Sequence, residues 1–224
     1  MGLDSHIIVT AALELIDEHG AAAFTIRALS ARLGVRAPTI YWHVGSKAEL
    51  LEAVVDRVVV DTAPSVHCEG PWDVRVRHLF SVVRQPLVAH PNVASLMRSV
   101  HSRAFERWIG EALDIARDAG FRDHDVPAYA RTIVTTALAC AQSEVNIRAT
   151  HYMEVDPRDA SRRRYRVKPD VLRAGLPPDV ALTTSYDIDE EHDRMTRIFV
   201  DGLRVELERA RARRPRRARN THHD

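Results

Sequence analysis

The sequence predicts an all-α chain: an N-terminal three-helix helix-turn-helix domain followed by a larger C-terminal helical domain. Three observations carry this. Apolar residues recur at helical spacing along most of the chain and nowhere alternate convincingly as a strand would. Three short helical patterns, closed by Gly20, Gly34 and Gly45, precede a long one. Between the second and the fourth lies LGVRAPTIYWHVGSK, a stretch with more polar and aromatic chemistry than a core helix needs.

The first helix has Ile8, Ala12, Leu15 and Ile16 on one face, Asp4 or Ser5 as N-cap and Gly20 as its stop. Thr25 caps a second helix with Ile26, Leu29 and Leu33 inward, and Gly34 supplies the left-handed exit. Pro38 suits the first turn of a third helix, where its missing N–H costs nothing. Ser46-Lys47-Ala48-Glu49 is a capping box that opens a long helix with Leu50, Leu51, Val54, Val55 and Val58. After Pro64, Gly70 and Pro71, Val76, Leu79, Phe80 and Val83 mark a fifth helix, punctuated by Pro86 and Pro91. Helical patterns resume at Val93 to Leu113 and Val126 to Thr150, and again from about Asp189 to Arg213. Between them, residues 153–189 contain Pro157, Pro169, Pro177 and Pro178 and an arginine run, which predicts a flexible loop. The apolar-poor basic tail, 213–224, is expected to be disordered. Domains of 1–47 and 48–212 follow.

Among 224 residues, 32 Lys and Arg stand against 31 Asp and Glu, so any nucleic-acid reading rests on local placement and not on overall charge. The N-terminus lacks a signal-peptide pattern, and the longest nearly apolar run, Ile133 to Ala141, is too short for a bilayer. A soluble cytoplasmic protein without a membrane partner is expected. Cys68 and Cys140 have no metal-like spacing and read as free thiols. His43 has no second ligand three or four residues away, so no metal and no cofactor are expected.

A short helix, a glycine turn and a second short helix offering polar groups form a helix-turn-helix, whose second helix enters the DNA major groove. Thr39 and Pro38 suit base edges; Tyr41 and His43 suit phosphate oxygens; Lys47 stands at a helix N-terminus that already favours an anion. Arg27, on the side of Thr25, and Arg36 are the long cationic side chains nearby. Trp42, one position off the Tyr41/His43 side, is expected to be a core or interdomain wedge.

The segment FTIRALSARLGVRAPTIYWHVGSKAELLEAVV, Phe24 to Val55, resembles the DNA-binding domain of the TetR family. The resemblance implies a homodimeric repressor that binds a palindromic double-stranded operator and is released by a small-molecule effector. Carried over by position, Arg27, Ala37, Pro38, Thr39, Tyr41, His43 and Lys47 fall at DNA-contacting places, with Thr25 and Arg36 beside them. Ala37 departs from the base-reading glutamine of the tetracycline-responsive member, which implies a different operator. That member's drug-binding histidines fall at Ala63 and near Met97, so a magnesium–tetracycline chelate is not the expected effector.

The C-terminal domain is then the ligand-binding and dimerisation domain. Phe80, Met97, Phe105 and Trp108 are candidates for an apolar pocket, with His101, Thr136, Gln142 and Ser143 as orienting polar groups; the alternative is that they only build a core. The resemblance implies dimerisation through two helices per subunit, here 126–150 and 189–213, with Ala137, Ala141, Ile198, Phe199, Gly202 and Leu203 at the contact. One rival is a ligand-independent or activating regulator with the same fold. Another, an enzyme using His101 and Glu144 as an acid/base pair, lacks any nucleophile motif.

Overall fold

A computed structural model describes residues 3–62, 65–98, 102–156, 159–167 and 185–212. It is built from α1 (Ser5–His19), α2 (Ile26–Leu33), α3 (Ala37–Val44), α4 (Lys47–Thr62), α5 (Trp72–Ala89), α6 (Arg103–Ala119), α7 (Val126–Thr150), β1 (His151–Asp156), β2 (Asp159–Val167), β3 (Ser185–Asp187) and α8 (Ile188–Ala212).

Caps set the boundaries of the first helices. Asp4 accepts a hydrogen bond from the Ile7 amide at 2.8 Å and opens α1. Thr25 accepts from the Ala28 amide at 3.1 Å and opens α2, and Gly34, at φ 66° and ψ 27°, closes it in the left-handed region. Gly45, at φ 74°, turns α3 into α4, where Ser46 Oγ accepts from the Glu49 amide at 3.1 Å. Ile8, Ile16, Leu29, Ile40 and Leu50 are buried at the centre of this unit, so each short helix holds its place by tertiary burial more than by intrinsic propensity.

The larger body packs α5, α6 and α7 against one another, with Leu79, Phe80, Trp108, Ile115, Ile133 and Ala141 buried between them. Along α8, Val200, Leu203 and Leu207 are buried, and Phe199 meets Phe80 with ring centroids 5.2 Å apart. Two partly buried ion clusters tie the body together. Arg75 of α5 bonds Glu111 and Asp118 of α6, and Glu111 also meets His67 at 3.0 Å. Arg84 of α5 bonds Glu144 of α7 and Asp189 of α8, while Arg148 bonds Glu144 at 2.6 Å. Burial pulls the Arg84 guanidinium down, but its hydrogen bonds to Glu144 and then Asp189 outweigh that and leave its pKa raised.

Three expectations change. Pro86 does not end the fifth helix but lies buried inside α5. The helix expected from Val93 begins only at Arg103, where Ser102 Oγ accepts from the Phe105 amide; 91–98 form a turn closed by a 3-10 segment, Leu96–Arg98. The span 153–189, expected as a loop, contains a three-stranded antiparallel sheet: His151 pairs with Val167 at one end of the hairpin, and Tyr165 pairs with both Met153 and Tyr186. Tyr165 is buried under the Arg148 guanidinium, 5.3 Å from its ring centroid, a tertiary anchor that the surrounding arginines conceal in the sequence. Residues 213–224, where a disordered tail is expected, lie outside the described residues. Neither cysteine is in a disulfide, and no described helix is long and apolar enough to cross a membrane.

Candidate nucleic-acid interface

The geometry of α3 follows from one buried residue. Ile40 is fully buried, and Ala37 and Val44 lean on the same core. With 100° per residue, the residues flanking that stripe turn outward. Arg36, Pro38, Thr39, Tyr41 and Trp42 are all exposed, and His43 is half-buried. Thr39 thus stands on an open face, with Pro38 before it and Tyr41, 42% exposed, after it.

Trp42 is a correction. Its size predicts burial, but it is 82% exposed, with its ring edge-on to His43 at 4.7 Å. It stands two residues from Ile40, 200° around the helix, and therefore opposite the core. That phase was available in the sequence.

Two ties hold α3 from outside. Ser5 Oγ donates to the His43 carbonyl at 3.1 Å, satisfying a carbonyl in the last turn of α3. Lys47, expected as a phosphate clamp, donates from Nζ to the Phe24 carbonyl at 3.0 Å and lies 5.5 Å from the centroid of the Phe24 ring. In this arrangement Lys47 fixes the start of α4 to the entry of α2. Thr25 is committed as the α2 cap through its oxygen, with its hydroxyl hydrogen still able to donate.

The local cations divide into two groups. Arg32 is held by Glu18 and Glu14 at 2.7 and 3.1 Å; the Arg32 hydrogen bond holds the Glu18 carboxyl below its usual range. Arg27 and Arg36 are exposed and form no ion pair among the described residues. The face around α3 therefore carries uncommitted guanidinium groups, a hydroxyl, a phenol and an indole. Such a set can bind phosphate oxygens and read base edges in a groove.

The pocket candidates of the larger body do not form one group. Phe80, Met97 and Trp108 are buried in the core, and Phe105 is half-buried beside it. Thr136 and Gln142 are half-buried, Gln142 donating to Asn146 at 3.2 Å; Ser143 is exposed on the outer face of α7 and does not join them. His101 lies outside the described residues. Trp108 Nε1 is buried with no hydrogen-bond partner among the described residues. Glu144, a candidate acid in the enzyme reading, has both carboxylate oxygens bonded to arginines.

The dimer candidates divide in the same way. Ala137, Ala141 and Leu203 are buried within the protomer, and Phe199 is engaged with Phe80. Ile198, 65% exposed, and Gly202 face outward, joined by exposed Val205. On α7 the outward stripe runs from Arg131 through Thr135, Ala139 and Ser143 to Asn146, uncharged beyond Arg131. These exposed positions lie two residues, about 200°, from the expected Ala137 and Ala141, which face the core instead.

A family model described as "Bacterial regulatory proteins, tetR family" matches residues 8–54. An HTH-type transcriptional regulator from Saccharopolyspora erythraea is 27% identical over 204 residues, 88% of this chain and 82% of that protein. The class A tetracycline repressor protein from transposon 1721 of Escherichia coli is 37% identical over 134 residues, 58% of this chain and 62% of the repressor. Among solved structures, BioQ with its double-stranded DNA operator is 30% identical with a TM-score of 0.58, covering 66% of this chain and 90% of that one.

Proposed function

The chain belongs to the TetR family and is a DNA-binding transcriptional regulator, not an enzyme; on that premise we propose that it is a homodimeric repressor of a palindromic operator, released by a small molecule. The observation that carries the reading is the outward face of α3, where Thr39, Tyr41 and Trp42 stand exposed with uncommitted Arg36 and Arg27 nearby. The similarity to BioQ, solved with its operator DNA, and to a tetracycline repressor supports it.

In this reading residues 1–47 bind DNA and 48–212 sense the effector and dimerise. Pro38 and Thr39 meet base edges; Tyr41, His43, Arg27 and Arg36 meet phosphates; Trp42 lies against sugar or a thymine methyl; Lys47 and Thr25 hold the geometry while adding charge and a donor. Ala37 leans on the core and offers no side-chain hydrogen bond, so base reading falls to its neighbours Pro38 and Thr39.

The effector is assigned to the core around Phe80, Met97 and Trp108. An indole N–H buried without an acceptor costs about 1–3 kcal/mol, which a ligand carrying an acceptor oxygen or nitrogen recovers. The outward face of α7 with Ile198, Gly202 and Val205 of α8 is assigned to the two-fold contact. Lacking charged residues at Thr135, Ala139, Ser143 and Asn146, that α7 stripe suits close helix approach. Release then follows when the effector favours a dimer in which the two α3 helices no longer match successive major grooves, about 34 Å apart.

The test is fluorescence anisotropy with DNA from the gene's own upstream region, or a duplex selected from a random pool, followed by a compound screen on the complex. Salt-sensitive binding, lost in Thr39→Ala/Tyr41→Ala and reversed by a compound, is the expected result. Binding that no compound reverses would remove effector control while leaving the DNA reading intact.

A further inference from the structure

The DNA-binding unit is joined to the larger body by the chain itself through α4, and also by a contact far from it in sequence. Asp17 lies in the last full turn of α1, where carbonyls lack intrahelical partners. Gly20 takes the Ile16 carbonyl. The carbonyl of Asp17 is taken by the side-chain amide of Asn92, which donates to it at 2.8 Å. Its carboxylate meets His90 Nδ1, also at 2.8 Å. One residue of α1 is thus gripped twice, by two residues just beyond the end of α5.

The segment that does the gripping is well anchored. The His90 amide donates to the Pro86 carbonyl, and the Val93 and Leu96 amides donate to the carbonyls of His90 and Val93. Val93, Ala94, Leu96 and Met97 are buried, and the 3-10 segment Leu96–Arg98 packs against α4. Met97, assigned above to the effector core, is therefore on the same short piece of chain as His90 and Asn92. Near the other end of α1, twelve residues and about 18 Å from Asp17, Ser5 bonds the last turn of α3.

We propose that Asp17, His90 and Asn92 form a latch that couples the effector core to the reading helix through α1 as a rigid rod, in parallel with α4. This rests on the reading of α3 as the DNA-contacting helix and of the body as the sensing domain. A displacement of 90–98 pulls directly on Asp17; α1 carries the displacement to Ser5 and the end of α3. Both bonds sit at a partly exposed seam, so the latch yields without unfolding either unit. These are positioning residues: none of them contacts DNA.

Coupling is reciprocal, which allows a test without a known effector. A duplex selected from a random pool serves as the probe, and amide hydrogen exchange of the full chain is followed with and without it. In the wild type, DNA is expected to slow exchange both in α3 and in residues 90–98. In Asp17→Asn/Asn92→Ala, with His90→Ala as a second variant in case the first folds poorly, slowing is expected to persist in α3 and to vanish in 90–98. Operator affinity is expected to fall about 3- to 10-fold, the scale of one or two hydrogen bonds. Slowing in α3 but never in 90–98 of the wild type, or slowing in 90–98 that survives both variants, would overturn the latch alone. No slowing in α3 of the wild type would overturn the DNA reading and the latch with it.

Discussion

Trp42 shows how much one side chain can decide. A tryptophan left 82% exposed on an eight-residue helix, its ring against the edge of His43, brings its helix no core energy. Trp42→Ala is expected to leave the melting temperature within about 2 °C while weakening operator binding about 5- to 50-fold, checked by thermal denaturation and anisotropy. Arg27→Ala and Arg36→Ala act through phosphate charge: each is expected to reduce the slope of log affinity against log salt by about 1, measured by salt titration. Lys47 is different because its ammonium serves the fold through the Phe24 carbonyl. Gly45 holds φ 74°, and a Cβ there would meet the Glu49 carboxylate. The carboxylate is the end of a flexible side chain and can move; the left-handed strain remains. Gly45→Ala is therefore expected to cost about 1–2 kcal/mol, a fall of about 2–8 °C in Tm by calorimetry.

At the scale of elements, the ion cluster around Arg84 joins α5, α7 and the start of α8, and His192 of α8 lies beside it, 7% exposed. Burial first, then the charge of Arg84, holds the His192 imidazole below its ordinary pKa; Glu144, Asp193 and Asp189 oppose this in part. The fold therefore keeps His192 neutral where the unfolded chain, with a pKa of about 6.5, begins to protonate. Its contribution is complete above that pH and is lost as pH falls toward the depressed folded value. His67, raised by its hydrogen bond to Glu111, has the opposite sign: its contribution is complete below pH about 6.5 and lost as pH rises through the folded value. Because His67 is largely exposed, His192 is expected to dominate, so Tm falls from pH 7.5 to 5.5 and does so less in His192→Asn. An equal fall in the variant would remove His192 as the cause. These helices were legible because Asp4, Thr25, Gly34 and Ser46 state their own boundaries in local chemistry. The sheet was not: Tyr165 is the buried anchor of β2, and its burial depends on Arg148, seventeen positions earlier in sequence. Residues 91–98 misled for a related reason, since their apolar residues enter the core from a turn and not from a helix face. The face of α3 was legible in its residue types, and the outward phase of Trp42 in its two-residue step from Ile40, whereas the bonds of Asp17 to His90 and Asn92 exist only once tertiary packing is fixed.

For the whole molecule, the proposed function depends on the relation between a small reading unit and a larger body proposed to join a second copy. Ile198→Glu places a charge on the outward face of α8 without entering the core. Sedimentation is expected to show monomer at micromolar concentration, with operator affinity reduced at least 100-fold because two half-sites are no longer joined. A dimer that survives this change would move the interface elsewhere. The measurement that bears most directly on the central claim is selection of duplex DNA from a random pool by the purified full chain, read against Thr39→Ala/Tyr41→Ala. The account predicts a palindrome whose half-sites lie one helical turn apart, bound by the wild type and not by the variant. A selected sequence without two-fold symmetry, or one the variant binds equally well, would contradict it.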